Sequence, residues 1–138
     1  MHSLPPPCKT QTIGELFTTE KADELFGKVI TSVNIESSML KDIVDKTGNV
    51  LMFGIFDGEL VITGDNRRVL HSENYQLKEK DVQHVWTTDI ILELLENGQQ
   101  DVSIIEKRKE VMSITNGTQT LENGAWCPPY CSNNFSSR

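Results

Sequence analysis

The run Val50-Leu51-Met52-Phe53-Gly54-Ile55-Phe56, followed at once by Asp57-Gly58, restricts this chain more than any other stretch. Seven consecutive residues without a polar side chain are apolar on both faces of an extended strand. Such a strand has to be covered on both sides, in the middle of a sheet. Asp57-Gly58 supplies the two successive positive-φ residues of a type I′ turn, whose twist matches a tight antiparallel hairpin. Residues 59–63 therefore return antiparallel, Gly64-Asp65-Asn66 turns again, and residues 67–71 form a third, more polar strand near an edge. Residues 49–70 read as a three-stranded β-meander at the centre of a small acidic domain.

The segments around this meander repeat its setting. Upstream, Val29, Thr31, Val33 and Ile35 alternate as on a half-buried strand. Met39, Leu40, Ile43 and Val44 then recur with the spacing of an amphipathic helix, capped by Ser37 or Ser38 and ended by a left-handed Gly48. A shorter helix is predicted to start near Thr19, capped by Thr18 or Thr19 and stopped by Gly27. Downstream, residues 82–86 alternate and Thr87 or Thr88 caps a helix carrying Ile90, Ile91, Leu94 and Leu95. Strands at 102–106, 111–115 and 118–121 follow. The helix stripe is shifted by 51 positions, and at a shift of 52 Val50, Ile62 and Thr63 fall on Val102, Ile114 and Thr115. The fold class is therefore α+β: antiparallel β-meanders packed with two or three short helices. Residues 29–71 and 81–121 are candidate strand-helix-meander repeats in a pseudo-twofold arrangement. Residues 1–14, with Pro5-Pro6-Pro7, read as an extended arm, 15–121 as a single domain, and 122–138 as a tail rich in cysteine and aromatic residues.

Charge narrows the partners. A net charge of -7 in 138 residues opposes binding to phosphate backbones, which depends on Lys and Arg displacing counterions, so no nucleic acid is expected. It also opposes anionic lipid, and no apolar run approaches the roughly 20 residues of a membrane span, so no membrane partner is expected. The start of the chain has neither a basic region nor an apolar core of a secretory signal, which points to the cytoplasm. Three cysteines are too few for a disulfide framework.

One segment carries suggestive chemistry, Trp126-Cys127-Pro128-Pro129-Tyr130-Cys131. Its Cys-Pro-Pro-Tyr-Cys resembles the Cys-Pro-Tyr-Cys of glutaredoxins with one proline added, and a Trp before the first cysteine is similar to thioredoxins. In those families a helix and further sheet follow the motif, lowering the thiol pKa. Here seven residues follow Cys131, so the likeness is to the motif and not to the fold. Two cysteines at this spacing can close a small disulfide stiffened by the prolines, or pack as small apolar groups. Cys127 and Cys131 with Cys8 and His2 would offer zinc mixed sulfur and imidazole ligands, but no second Cys-x-x-Cys or His-x-x-x-His supports a site, and no metal is assigned.

Elsewhere the residue types point to ordinary structural roles. His71 and His84 fall on predicted strands without a nucleophile motif, and Lys107-Arg108-Lys109 is a solvated hairpin tip able to dock an acidic partner. No nucleophile elbow, phosphate loop or dinucleotide fingerprint occurs, so no catalytic residue and no cofactor is assigned. The sequence thus leads to a non-enzymatic protein-binding or assembly domain, with a protein partner or self-association, acting through Trp126, Cys127, Tyr130 and Cys131. The alternatives are a thiol-redox or metal-binding protein using Cys127 and Cys131, or a carrier whose tail a partner enzyme modifies or cleaves.

Overall fold

The computed structural model describes residues 12–98, 101–109 and 111–127. The elements run β1 (Glu15–Thr18), α1 (Thr19–Phe26), β2 (Val29–Glu36), α2 (Ser37–Val44), β3 (Val50–Phe56), β4 (Glu59–Thr63), a short 3-10 turn (Asp65–Arg67) and β5 (Val69–His71). They continue with β6 (Gln83–Thr87), α3 (Thr88–Gly98), β7 (Val102–Arg108), β8 (Met112–Thr115), β9 (Gln119–Glu122) and β10 (Ala125–Cys127). The strands form two five-stranded sheets, ordered β1-β9-β8-β7-β2 and β10-β6-β3-β4-β5, with antiparallel neighbours throughout. The architecture is α+β with antiparallel meanders.

β3 lies inside its sheet, between β6 and β4, and its first four residues are fully buried. Asp57 and Gly58 both take positive φ, 53° and 79°, the turn that the Asp-Gly pair encodes. The two meanders stand in different sheets, and each is flanked by the leading strand of the other half. β2 pairs with β7, and β6 pairs with β3. The registers correspond: Glu36 faces Val102 as Thr87 faces Val50, and Val33 faces Ile105 as His84 faces Phe53. Pairs Ile62–Phe53 and Ile114–Ile105 match in the same way. A helix carries the chain from β2 or β6 to the opposite sheet, so the halves are interleaved and neither closes a sheet by itself.

A single main core fills the space between the sheets. Ile35, Ile105, Ile114 and Leu121 come from one sheet and Leu51, Phe53, Leu60, Ile62 and Trp86 from the other. Leu40, Ile43 and Val44 of α2 and Ile90, Ile91 and Leu94 of α3 complete it, as their helical spacing requires. α1 instead lies over the opposite face of the first sheet, where Phe26 meets Phe17 edge-on at 5.6 Å and Ala22 is fully buried. Among the described residues no helix is long and apolar enough to cross a membrane.

Several local expectations differ. Glu15–Thr18 precedes α1 as a strand beside β9, with Thr18 accepting from the N–H of Lys21 as the helix cap. β2 is an edge strand and largely exposed, so its apolar alternation buries only Ile35 fully. α2 has Glu36 at its N-cap, and Ser37 hydrogen-bonds Ser103 across the sheet. That helix ends at Val44 with Asp45 still right-handed, and Gly48 serves a later purpose. Its N–H donates to the Asp65 carboxylate, as do those of Asn49 and Val50, while the Thr47 hydroxyl accepts from the Asp65 N–H. Finally, β10 extends the second sheet within the stretch that sequence assigns to the tail.

The Asp65 carboxylate therefore joins the α2–β3 connection to the turn after β4. Asp65→Ala leaves these donors without their acceptor and is expected to cost about 2 kcal/mol, read from chemical denaturation. Unchanged stability would show that water replaces the carboxylate there.

Candidate functional site

A cleft of about 360 Å³ opens between the two sheets where β3 ends and the β7–β8 hairpin turns. Its apolar wall comes from Ile55, Phe56, Val82 and Trp126 on one side and Val111 and Met112 on the other. Among the described residues, Lys107, Arg108 and Lys109 are the charged ones that line it. The apolar wall is held by the long loop from β5 to β6. The Glu59 carboxylate accepts the backbone N–H groups of Asn74 and Tyr75 at 2.9 Å each, that of Glu73, and the Ser72 hydroxyl. Burial would raise its pKa, but these donors together hold it below the ordinary glutamate value. Tyr75 is thereby placed to stack on Phe56, ring centres 4.9 Å apart. Arg67 fastens the other end of the loop, donating to the carbonyls of Glu79 and Asp81 and to Oε1 of Gln83.

Trp126 is the exposed aromatic of the cleft. β10 pairs with β6 so that Trp126 lies opposite His84, and its ring meets the imidazole edge-on at 4.1 Å while 40% of the residue stays exposed. His84 is enclosed, with Trp86 on its other side at 5.2 Å, and neither ring nitrogen has a hydrogen-bond partner among the described residues. Burial pushes its pKa down to about 4, so the imidazole is neutral near pH 7. It serves there as a flat packing surface for Trp126.

The cationic wall has a different basis. The Arg108 side chain is fully buried under α1. Its Nε donates to the Ser113 hydroxyl at 2.8 Å, Nη1 reaches Asp23 at 2.9 Å and the Gly27 carbonyl, and Nη2 stands 3.5 Å from Glu106. The Glu122 carboxylate, also fully buried, lies 3.3 Å from Nε and accepts from the Ser113 hydroxyl at 2.6 Å. Burial pushes its pKa up to about 7, the largest of several influences, with Ser113 and Arg108 pulling the other way. Because Arg108 is consumed inside, the exposed charge at the cleft belongs, among the described residues, to Lys107 and Lys109.

Of the residues singled out in sequence, Trp126 lies on the cleft wall. Cys127 is the last residue of β10, its backbone opposite Gln83. Tyr130 and Cys131 lie outside the described residues, as do His2 and Cys8. The structure thus brings Trp126 together with Lys107 and Lys109, which sequence placed on a solvated hairpin tip. Phe56, Val82 and Val111 received no role in sequence because apolar residues near turns look like ordinary strand ends. Compared with protein-family models, curated proteins and solved structures, the chain matches none.

Glu122 and His84 give opposing pH dependences. Glu122 holds in the folded state a proton that the unfolded chain releases above about 4.5, so its contribution falls as pH rises from about 4.5 to 7. His84 stays neutral when folded, down to about 4, whereas the unfolded chain protonates near 6.5, so its contribution grows as pH rises through that interval. The two largely cancel. Glu122→Gln removes the falling component, and stability should then climb from pH 4.5 to 6.5 by up to roughly 1 kcal/mol per pH unit. Thermal unfolding across this range checks it; parallel profiles for the two proteins would refute the assignment.

Proposed function

We propose that this chain is a protein-binding domain whose inter-sheet cleft takes an acidic peptide segment carrying a large apolar side chain. The observation that carries the reading is the lining of that cleft, apolar on its walls and cationic at its rim, on a chain whose net charge is -7. Isolated cations on an acidic surface attract a partner's carboxylates locally, while the surrounding field rejects partners that lack matched charge. Trp126 and Phe56 supply the stiff aromatic surface against which an inserted Leu or Phe loses water, the arrangement that concentrates binding energy in a few residues.

The roles divide accordingly. Trp126 is the anchor, with His84 and Trp86 behind it fixing the indole's angle. Lys107 and Lys109 select the charge of the segment. The β5–β6 loop, pinned by Glu59 and Arg67, keeps Phe56 and Val82 in place and spares binding the entropy of ordering that wall.

The test is titration of the full chain with a short capped peptide bearing three aspartates around one phenylalanine, against the same peptide with asparagines. The acidic peptide should bind with a dissociation constant on the order of 100 µM, and the neutral one about tenfold more weakly. Lys107→Glu with Lys109→Glu should reverse that preference, and Trp126→Ala should weaken both peptides alike. Equal binding of the two peptides by the unaltered chain, or no binding of either, would overturn the reading.

A further inference from the structure

We propose that α1 is a proton-held cover over the buried ionic layer of the first sheet: it stays closed while the Glu122 carboxyl carries a proton and is released as that proton leaves. The motive is an imbalance of charge. Asp23 of α1 and Glu106 and Glu122 of the sheet stand 2.9, 3.5 and 3.3 Å from the Arg108 guanidinium, and among the described residues no second cation pairs with them. Three ionised carboxylates against one guanidinium leave an excess of two negative charges, under a helix whose own contribution to the layer, Asp23, is negative as well.

Glu122 is the acid of this layer with the least access to water. Its side chain is fully buried, Oε2 accepts the Ser113 hydroxyl at 2.6 Å, and Oε1 has no hydrogen-bond partner among the described residues. A neutral carboxyl tolerates an unmet oxygen far better than a carboxylate does. The groups facing it come from three elements: Ser113 from β8, Arg108 and Glu106 from β7, and Asp23 from α1. Glu15 of β1 stands across from Glu122 in the register, but it is exposed and accepts from Asn123 at 2.7 Å. Burial is the chief reason why the Glu122 pKa is pushed up to about 7, with Ser113 and Arg108 opposing the rise and Glu106 and Asp23 adding to it.

α1 is the element able to move. Of its eight residues Ala22 alone is fully buried, Leu25 is half exposed, and Phe26 makes its ring contact with Phe17. Its polar ties are those of Asp23 and the Gly27 carbonyl to Arg108, and of Thr19 to Thr118 and Thr120. Gly27 follows the helix at φ 91°, and a Cβ there would meet no atom within 4 Å, so the chain has room to pivot before β2. Once α1 lifts, water reaches Glu122 and its carboxyl ionises near the ordinary 4.5. Closed α1 therefore holds a proton that the open form releases, and opening is favoured as pH rises from about 4.5 to about 7, levelling off above. Among the described residues none of α1 lines the peptide cleft, so the device stands whether or not that cleft takes a peptide.

Amide hydrogen exchange of the full chain, followed by NMR from about pH 5 to 8 and corrected for the intrinsic rate, reads the opening of α1 at Leu25, Phe26 and Gly27. Their opening constant should rise at least about thirtyfold between pH 5 and 7 and only about twofold from 7 to 8, while the amides of β3 stay far better protected and show no such rise. Glu122→Gln should cut the rise between pH 5 and 7 about tenfold. In the unaltered chain the side-chain carboxyl carbon of Glu122 should titrate near 7, a readout that does not depend on the variant folding. An α1 opening indifferent to pH, a Glu122 carboxyl that titrates near 4.5, or an undiminished rise in a folded Glu122→Gln chain would overturn the proposal.

Discussion

The indole of Trp86 joins the two sheets, and the rest of the molecule is arranged around it. Its ring is fully buried and meets Phe53 edge-on at 5.6 Å, and Nε1 donates to the carbonyl of Glu122 at 3.2 Å. That carbonyl ends β9 in one sheet, while Trp86 belongs to β6 in the other. Between them Asn123 and Gly124 carry the chain from sheet to sheet, with Asn123 left-handed. A Cβ at Gly124 would stand 2.7 Å from the His84 ring and 2.8 Å from the Val85 carbonyl. Only glycine lets the crossover lie flat on β6, and from there β10 begins with Trp126 already aligned beside His84. The exposed aromatic of the cleft is therefore a consequence of how the core is closed.

The first sheet carries an apolar layer on one face and an ionic layer on the other. Ile105, Ile114 and Leu121 face the core. Arg108, Ser113 and Glu122 point the opposite way, and α1 covers them with Asp23. Burying an arginine requires that its donors be satisfied, and here two carboxylates, a hydroxyl, a helix-end carbonyl and a more distant glutamate do so. Such a network contributes orientation more than net stability. It draws the guanidinium inward at the hairpin tip and leaves the lysines on either side to face solvent. Three consecutive basic residues thus become a pair of outward cations beside an apolar cleft.

Legibility in the sequence followed the range of the interactions involved. The meander, the Asp57-Gly58 turn and the stripes of α2 and α3 depend on alternation, helical period and local turn chemistry, and all three appear where those signals place them. The role of Gly48 was misread because its partner, Asp65, lies 17 residues away and on another turn. Glu15–Thr18 received no element in sequence because its strand partner, β9, is about a hundred residues distant. The cleft was legible only in part. Trp126 and the basic tip each stood out by residue type, yet nothing in their spacing announces that they share a wall.

The sequence by itself determined the central meander with its Asp57-Gly58 turn and the stripes of α2 and α3, because hydrophobic period and turn residues act over a few positions. The tertiary structure alone decided that the two halves exchange their leading strands. β2 and β6 alternate in the same way and could pair with either meander as far as local pattern goes. The choice depends on closing one core between two sheets, with both helices and Trp86 inside. That same choice puts β2 last in its sheet among the described residues, and it brings the end of β3, the β7–β8 hairpin and Trp126 to one cleft.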